Sequence, residues 1–330
     1  MKIMEKLITA FPQNMLDALA IAEAHSFKQP KADIHNIVIC GMGGSGIGGK
    51  IVSQWVQKEA KIPVLLLQDY DLPNFVNEHS LVIGSSYSGN TEETLAGVKE
   101  AKERGAHIIG ITSGGEMHSF CLENNYDVVI VPGGNPPRSA TAFSIVQLIN
   151  IFVQLGIIGA SNLAEIRNSY DLLINESASI HTLGKEVANF LFGKVGVIYA
   201  SPQYEAVAIR ARQQFNENSK YLSWHHTIPE MNHNELVGWG GGDDRFKVLM
   251  LHTNDMNPRN QKRYEITKEI ISIKAAGIME IEAIGNTQIE KSFYLIHLVD
   301  WASYYLCDLN KADIMDIKVI DFLKDELSKF

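Results

Sequence analysis

Residues 40–49 read CGMGGSGIGG, a run that contains G-x-G-x-x-G at Gly41, Gly43 and Gly46. The apolar segment HNIVIC (35–40) precedes it and the amphipathic GGKIVSQWVQKEA (48–60) follows, so the glycines join a buried parallel strand to the start of a helix. Small residues at such a junction leave backbone amides free to face an anion, and the helix dipole favours negative charge there. The pyrophosphate of a dinucleotide and a simple phosphate both satisfy this geometry. The loop alone therefore specifies an anion and no more.

The surrounding chain keeps the same alternation. An opening helix from about Met4 to His25 precedes HNIVIC, and a helix running to Glu59 follows the glycines. Strand-like PVLLLQ, SLVIGSS, AHIIGIT and DVVIVP then alternate with helices expected from about Thr91 to Arg104, near His118, and from about Ser139 to Leu155. That order predicts an α/β, doubly wound parallel sheet. The second half repeats it: GKVGVIYA, a helix from Pro202, KYLSW, RFKVLMLHT, a helix around Asn260 to Ala275, GIMEIEAI and a closing helical region. The link is expected between Gly156 and Glu165, giving domains 1–157 and 158–330, with Leu163 to Leu191 opening the second.

With 330 residues, 45% hydrophobic and 20% charged, the chain has globular composition and enough length for two cores. A net charge of -9 without long like-charged runs argues against non-specific nucleic-acid binding, which needs a basic face. The start, MKIMEKLITAFPQNMLDALA, mixes charges at helical spacing and reads as neither signal peptide nor membrane span, so a cytoplasmic location is expected. Cys40, Cys121 and Cys307 show no C-x-x-C spacing and are read as buried free thiols. The eleven histidines include no H-E-x-x-H, and His225 and His226 point two ways on one chain, so no metal is expected.

A second anion signal follows the strand SLVIGSS. In YSGNTEETL and the strand end before it, Ser85, Ser86, Ser88, Thr91 and Thr94 crowd hydroxyls onto a strand-to-helix turn. Asn90 with Glu93 three residues later reads as a helix cap beside a Gly89 turn, but capping uses one or two side chains. A phosphate monoester is compact, and several hydroxyls and amides can surround it without a lysine. Asp69 stands near the position where a dinucleotide site places its ribose-binding acid, which keeps that reading open. The hydroxyl cluster favours the monoester.

Together the two loops resemble the sugar isomerase (SIS) domain, a flavodoxin-like module that binds phosphosugars. NPPRSATAFS around Arg138, QFNENSK around Glu217 and PEMNHNELVGW around His233 narrow the likeness, in order and spacing, to the bifunctional phosphoglucose/phosphomannose isomerase family. The resemblance spans nearly the whole chain. It implies two flavodoxin-like SIS subdomains and a cofactor-free aldose-ketose isomerase acting on glucose 6-phosphate and fructose 6-phosphate, with mannose 6-phosphate as a further expected substrate. Such a reaction opens the sugar ring and moves a proton between carbons 2 and 1 through an enediolate, for which one carboxylate base suffices.

By the same resemblance Glu217 is that base, His233 assists ring opening, and Lys324 in VIDFLKDEL is the family's late lysine. Gly43, Gly44, Ser45, Ser86, Ser88 and Thr91 hold the phosphate, and Arg138 stabilises the enediolate charge. A homodimer is implied, with the histidine supplied from the partner, and neither a nucleic acid nor a membrane is an expected partner. WHH at 224–226 leaves His225 or His226 as alternative helpers in ring opening, and the run Gly238 to Gly242 has no role assigned from the sequence. Two other readings stand beside the isomerase: a phosphosugar-binding regulator without catalysis, and a nicotinamide-dependent dehydrogenase built on the Gly41 loop.

Overall fold

The computed structural model describes residues 2–329; Met1 and Phe330, the outer ends of the two expected domains, lie outside the described residues. In chain order, α1 (Lys2–Thr9) and α2 (Phe11–Ala24) lead to β1 (Asn36–Cys40), α3 (Gly43–Trp55), β2 (Val64–Leu67), β3 (Ser80–Ser85), α4 (Glu92–Glu103) and β4 (His107–Thr112). Then come α5 (Gly115–Glu123), β5 (Asp127–Ile130), α6 (Thr141–Gln154), α7 (Ser161–Asn175), α8 (Ser177–Leu191), β6 (Val195–Ala200), α9 (Glu205–Ser219) and β7 (Ser223–Thr227). The chain continues through short α10 (Glu235–Gly238), β8 (Phe246–His252), α11 (Pro258–Ser272), β9 (Gly277–Glu282), α12 (Gln288–Leu309) and α13 (Lys318–Leu327). The single opening helix expected from the sequence is two helices, because Pro12 has no N–H to offer the Ile8 carbonyl and the ladder breaks at Ala10.

Contacts divide the chain into two compact units: Ala10–Asn175 with Gly285–Phe293, and the residues up to Thr9 with Glu176–Ile284 and Tyr294 onward. The interval Leu163 to Leu191 is shared between them, since α7 packs with α2 and α6 while α8 belongs to the other unit.

In the unit built on Ala10–Asn175, five parallel strands lie in the order β2-β1-β3-β4-β5. Ile39 stands opposite both Leu66 and Ile83. The central strand β3 is buried along its whole length, which explains why SLVIGS reads as a continuous run instead of alternating. Helix α3 lies close on the sheet because residue 49 is glycine: a Cβ there would meet the Ile39 and Leu66 side chains at 2.9 Å. The almost entirely buried α6 is stitched to the carbonyls of α2 and its C-cap by side-chain amides. Gln147 donates to the Ala18 carbonyl (2.7 Å), Asn150 to Ala22 (3.2 Å) and Gln154 to His25 (2.7 Å). These bonds give buried polar groups their partners and set the register of the two helices.

The other unit carries a four-stranded parallel sheet, β7-β6-β8-β9, with Tyr199 of β6 opposite His226 of β7 and Met250 of β8. Its β7 is SWHHT and not the expected KYLSW. Helix α9 extends to Ser219, and Lys220 caps it in the left-handed conformation (φ 50°) while its ammonium donates to the Glu217 carbonyl at 2.7 Å. The chain reverses through Lys220 to Leu222, so the strand starts only at Ser223. His225 and His226 therefore fall on opposite faces of the sheet.

Helices α9 and α12 meet through a polar ladder. Arg210 and Gln214 both donate to the Asp300 carboxylate (2.9 and 2.8 Å), Asn218 donates to Ser303 Oγ (2.9 Å), and Ser219 Oγ donates to the Ser303 carbonyl (2.6 Å). Nearby, Trp301 Nε1 donates to His297 Nε2 at 3.3 Å, which requires that nitrogen to be unprotonated. Burial, with a smaller push from His181, lowers the His297 imidazole to about pH 3. A histidine depressed in the folded state binds its proton in the unfolded chain first, so its stabilisation is full above about pH 6.5 and is lost as pH falls toward 3. Acidification from pH 6.5 to 5 should thus remove about 1.6 kcal/mol through this group. Chemical denaturation of wild type and His297→Gln at both pH values checks it: the variant should lose less between the two.

Candidate active site

The order β2-β1-β3-β4-β5 reverses direction between β1 and β3, and in open α/β sheets ligands bind beyond the carboxyl ends of strands at such a point. The Gly41 loop leaves β1 and the hydroxyl-rich loop leaves β3 there, side by side, since Cys40 is registered with Gly84. The two loops touch: a Cβ on Gly41 would come within 3.0 Å of the Ser85 carbonyl oxygen. This order differs from the 3-2-1-4-5-6 arrangement of the dinucleotide fold, in which the strand beside β1 at the crevice is the fourth. Asp69, the candidate ribose ligand, is exposed and accepts only from the neighbouring Tyr70 amide among its described hydrogen bonds (2.8 Å).

Backbone amides and hydroxyls supply the donors. Helix α3 starts at Gly43 with no side-chain cap, so its first amides have no partner inside the helix. Gly43 adopts φ 52°, a conformation that costs glycine nothing. Ser45 Oγ accepts from the Tyr87 amide (3.1 Å), Ser86 Oγ from the Gly89 amide (3.1 Å) and Ser88 Oγ from the Asn90 amide (3.3 Å). Accepting in this way leaves the O–H of Ser45 and of Ser88 to donate. Ser86 and Thr91 share a hydrogen bond of 2.9 Å.

The expected Asn90 cap is corrected here. The residue before α4 is Thr91, which makes no side-chain cap, and Asn90 Oδ1 instead accepts from the Glu116 amide at 2.9 Å, tying the loop to α5. Helix capping thus does not account for the hydroxyls of Ser86 and Thr91, which bond each other and the turn at Gly89. Beneath the loops a cavity of about 10 Å³, room for one water, is lined by Gly44, Ser45, Ser85 and Thr141 among others. Ser85 Oγ is buried without a hydrogen-bond partner among the described residues.

Arg138 is buried on a 3-10 turn, Pro137–Ser139, that leans on the glycine loop. A Cβ on Gly44 would meet the Pro137 carbonyl oxygen at 2.7 Å and the Arg138 amide nitrogen at 3.2 Å, both backbone atoms that cannot rotate away. Gly44→Ala should therefore displace the donor amides and the arginine turn together. The expected outcome is a Michaelis constant for sugar phosphate raised about tenfold, the equivalent of one good hydrogen bond. Steady-state kinetics on the variant check it, and an unchanged constant would remove the loop from phosphate binding.

The remaining candidates lie in the other unit. Glu217 is half-buried in the last turn of α9, beside the polar ladder. His233 ends a 3-10 turn, Glu230–His233, and is exposed; Lys324 is exposed on α13. The structure thus groups Gly43, Gly44, Ser45, Ser86, Ser88, Thr91 and Arg138 in one unit, and Glu217, His233 and Lys324 on three elements of the second. Sequence reasoning missed Tyr199, Trp224 and Glu235, which surround the His233 segment. The one available signal was Tyr199, a side chain with a polar tip inside the apolar strand VGVIYA.

Comparison with known proteins gives two family matches: residues 32–130 match the SIS domain, and residues 180–327 match the bacterial phospho-glucose isomerase C-terminal SIS domain. The chain is 37% identical to a bifunctional phosphoglucose/phosphomannose isomerase of Caldicellulosiruptor bescii, over 96% of this chain and 97% of that protein. It is 36% identical to the protein of the same name from Aquifex aeolicus, over 89% and 90% of the two chains. Among solved structures, the C-terminal domain of glucosamine-fructose-6-phosphate aminotransferase from Francisella tularensis superposes with a TM-score of 0.76. That match covers 94% of this chain and 97% of the other at 16% identity, and it supports the fold alone.

Proposed function

Because the chain belongs to the bifunctional phosphoglucose/phosphomannose isomerase family, we propose that it interconverts fructose 6-phosphate with glucose 6-phosphate and with mannose 6-phosphate. The observation that supports the reading is the pair of loops, rich in backbone amides and hydroxyls, that meet at the β1/β3 crevice.

In this reading the amides of Gly43 and Gly44 and the hydroxyls of Ser45, Ser86, Ser88 and Thr91 hold the substrate phosphate. His233 helps carry the proton from the anomeric hydroxyl to the ring oxygen as the bond between the anomeric carbon and that oxygen breaks, with Lys324 assisting. From the open aldose Glu217 then takes the proton from carbon 2 and delivers it to carbon 1 while the carbon-2 hydroxyl proton passes to the carbon-1 oxygen, and Arg138 balances the enediolate charge. In the reverse direction, from fructose 6-phosphate, carbon 2 is planar in the enediolate, so delivery of the proton to one face or the other of carbon 2 yields glucose 6-phosphate or mannose 6-phosphate. A homodimer is part of the proposal, and light scattering should read twice the mass of one chain. Among the described residues, no helix is long and apolar enough to cross a membrane.

The test is purified protein with fructose 6-phosphate in excess chelator, with glucose 6-phosphate and mannose 6-phosphate scored separately. Formation of both is expected. If neither forms from folded protein that still binds sugar phosphate, the regulator reading replaces catalysis.

A further inference from the structure

The connection from β7 to β8 crosses β6 without a full-length helix. Its 3-10 turn ends at His233, α10 begins at Glu235, and a second 3-10 turn spans Trp239–Gly241. Such a segment has few repeating backbone bonds to hold it, and here side chains do so instead. Asn232 donates to Thr267 Oγ1 of α11 at 2.7 Å, and Asn234 donates to Glu230 Oε1 at 2.8 Å while its own Oδ1 caps the Glu235 amide at 2.6 Å.

Glu235 is the most heavily tied of these residues. Its Oε1 accepts from Tyr199 Oη at 2.5 Å and from Trp224 Nε1 at 3.2 Å, and its Oε2 stands 4.0 Å from His226 Nδ1. Tyr199 is fully buried in the central strand β6, and its oxygen accepts from Trp239 Nε1 at 2.9 Å. Burial first, and then the Glu235 carboxylate, hold the phenol above its usual range, so it keeps the proton it donates. The glycine run takes part as well. A Cβ on Gly242 would strike the Trp239 ring at 2.7 Å, so glycine there lets the indole lie under the loop and reach Tyr199. Residues on both sides of His233 are anchored, and its imidazole is presented to solvent.

We propose that Glu235, gripped by Tyr199 and Trp224, is a positioning residue that fixes the His233 imidazole for ring opening. The inference rests on the role assigned to His233 above.

The test is a double-mutant cycle in the full-length protein with fructose 6-phosphate as substrate. Tyr199→Phe keeps the ring and removes the hydroxyl. It should lower kcat about tenfold with KM within about twofold, and in a His233→Ala background the same change should cost less than about twofold. Glu235→Ala, at a partly exposed position, is the second variant and should behave alike. If His233→Ala lowers activity but each change costs the same in both backgrounds, the inference is overturned and the His233 role stands. If His233→Ala leaves turnover intact, both fall together. A full-activity Tyr199→Phe or Glu235→Ala with a native thermal transition would also overturn the inference.

Discussion

Replacing Glu217 by glutamine is expected to lower kcat for fructose 6-phosphate by about 10³ to 10⁴, within the range that one general base contributes, while KM stays within a few-fold. Glutamine keeps the shape and the helical context but cannot accept the carbon-2 proton. The half-buried position in the final turn of α9 makes the substitution mild for folding. An independent signature separates loss of the base from a general disturbance. In heavy water the wild type should exchange solvent deuterium into carbon 2 of glucose 6-phosphate, and the variant should lose exchange and turnover in parallel, with fructose 6-phosphate binding by calorimetry unchanged. Retention of a tenth or more of wild-type turnover would place the base elsewhere.

A comparably large effect is expected in the scaffold behind that residue. Asp300→Ala should destabilise the protein by about 3 to 5 kcal/mol, because it removes the carboxylate from a buried ion pair and leaves the Arg210 charge in the core. Complete burial outweighs the pull of Arg210 and Gln214 and holds the Asp300 carboxyl above the usual range, so the pair is already a compromise between desolvation and attraction. Exchanging both partners for apolar residues, Arg210→Met with Asp300→Leu, should recover most of the loss. Urea denaturation of the single and double variants measures this, and a loss below about 1 kcal/mol for Asp300→Ala would mean the ladder adds little. The double variant has a further use. The ladder sets the rotation and axial register of α9, so a stable double variant with reduced turnover would show that polar contacts aim Glu217 as well as bind the helix.

Some of these features are local enough to read along the chain. The runs IVIC, LVIGS and VGVIYA are strands because continuous apolar stretches of that length, punctuated by glycine and polar turns, are what a sheet buried on both faces demands, and VLLL, equally apolar, forms the partly exposed edge strand β2. The hydroxyl cluster of 85–94 was legible for a similar reason: more donors stood in one turn than a helix cap uses. Other boundaries depended on competition between neighbours. KYLSW has strand-like composition, yet α9 claims residues to Ser219 and Lys220 takes the left-handed cap, so the strand is displaced to SWHHT. Asn90 has the spacing of a cap, but its side chain is taken by the Glu116 amide, a partner 26 residues away.

By itself, the sequence determined the alternation of strands and helices, the anion loops after β1 and β3, and a family likeness strong enough to name the candidate base and acid. Those are properties of short windows and of motif order. The tertiary structure alone decided the strand order that brings the two loops to one crevice, the polar ladder that holds α9, and the grip of Tyr199, Trp224 and Trp239 around the His233 segment. Each joins residues from separate elements through register and packing. Glu235 illustrates the difference: in the sequence it is one more acid in a polar loop, and in the fold it receives a buried phenol and an indole from two strands. Periodicity reports which face a side chain takes, but the partner waiting there is set by how the strands are ordered and how the crossover lies upon them.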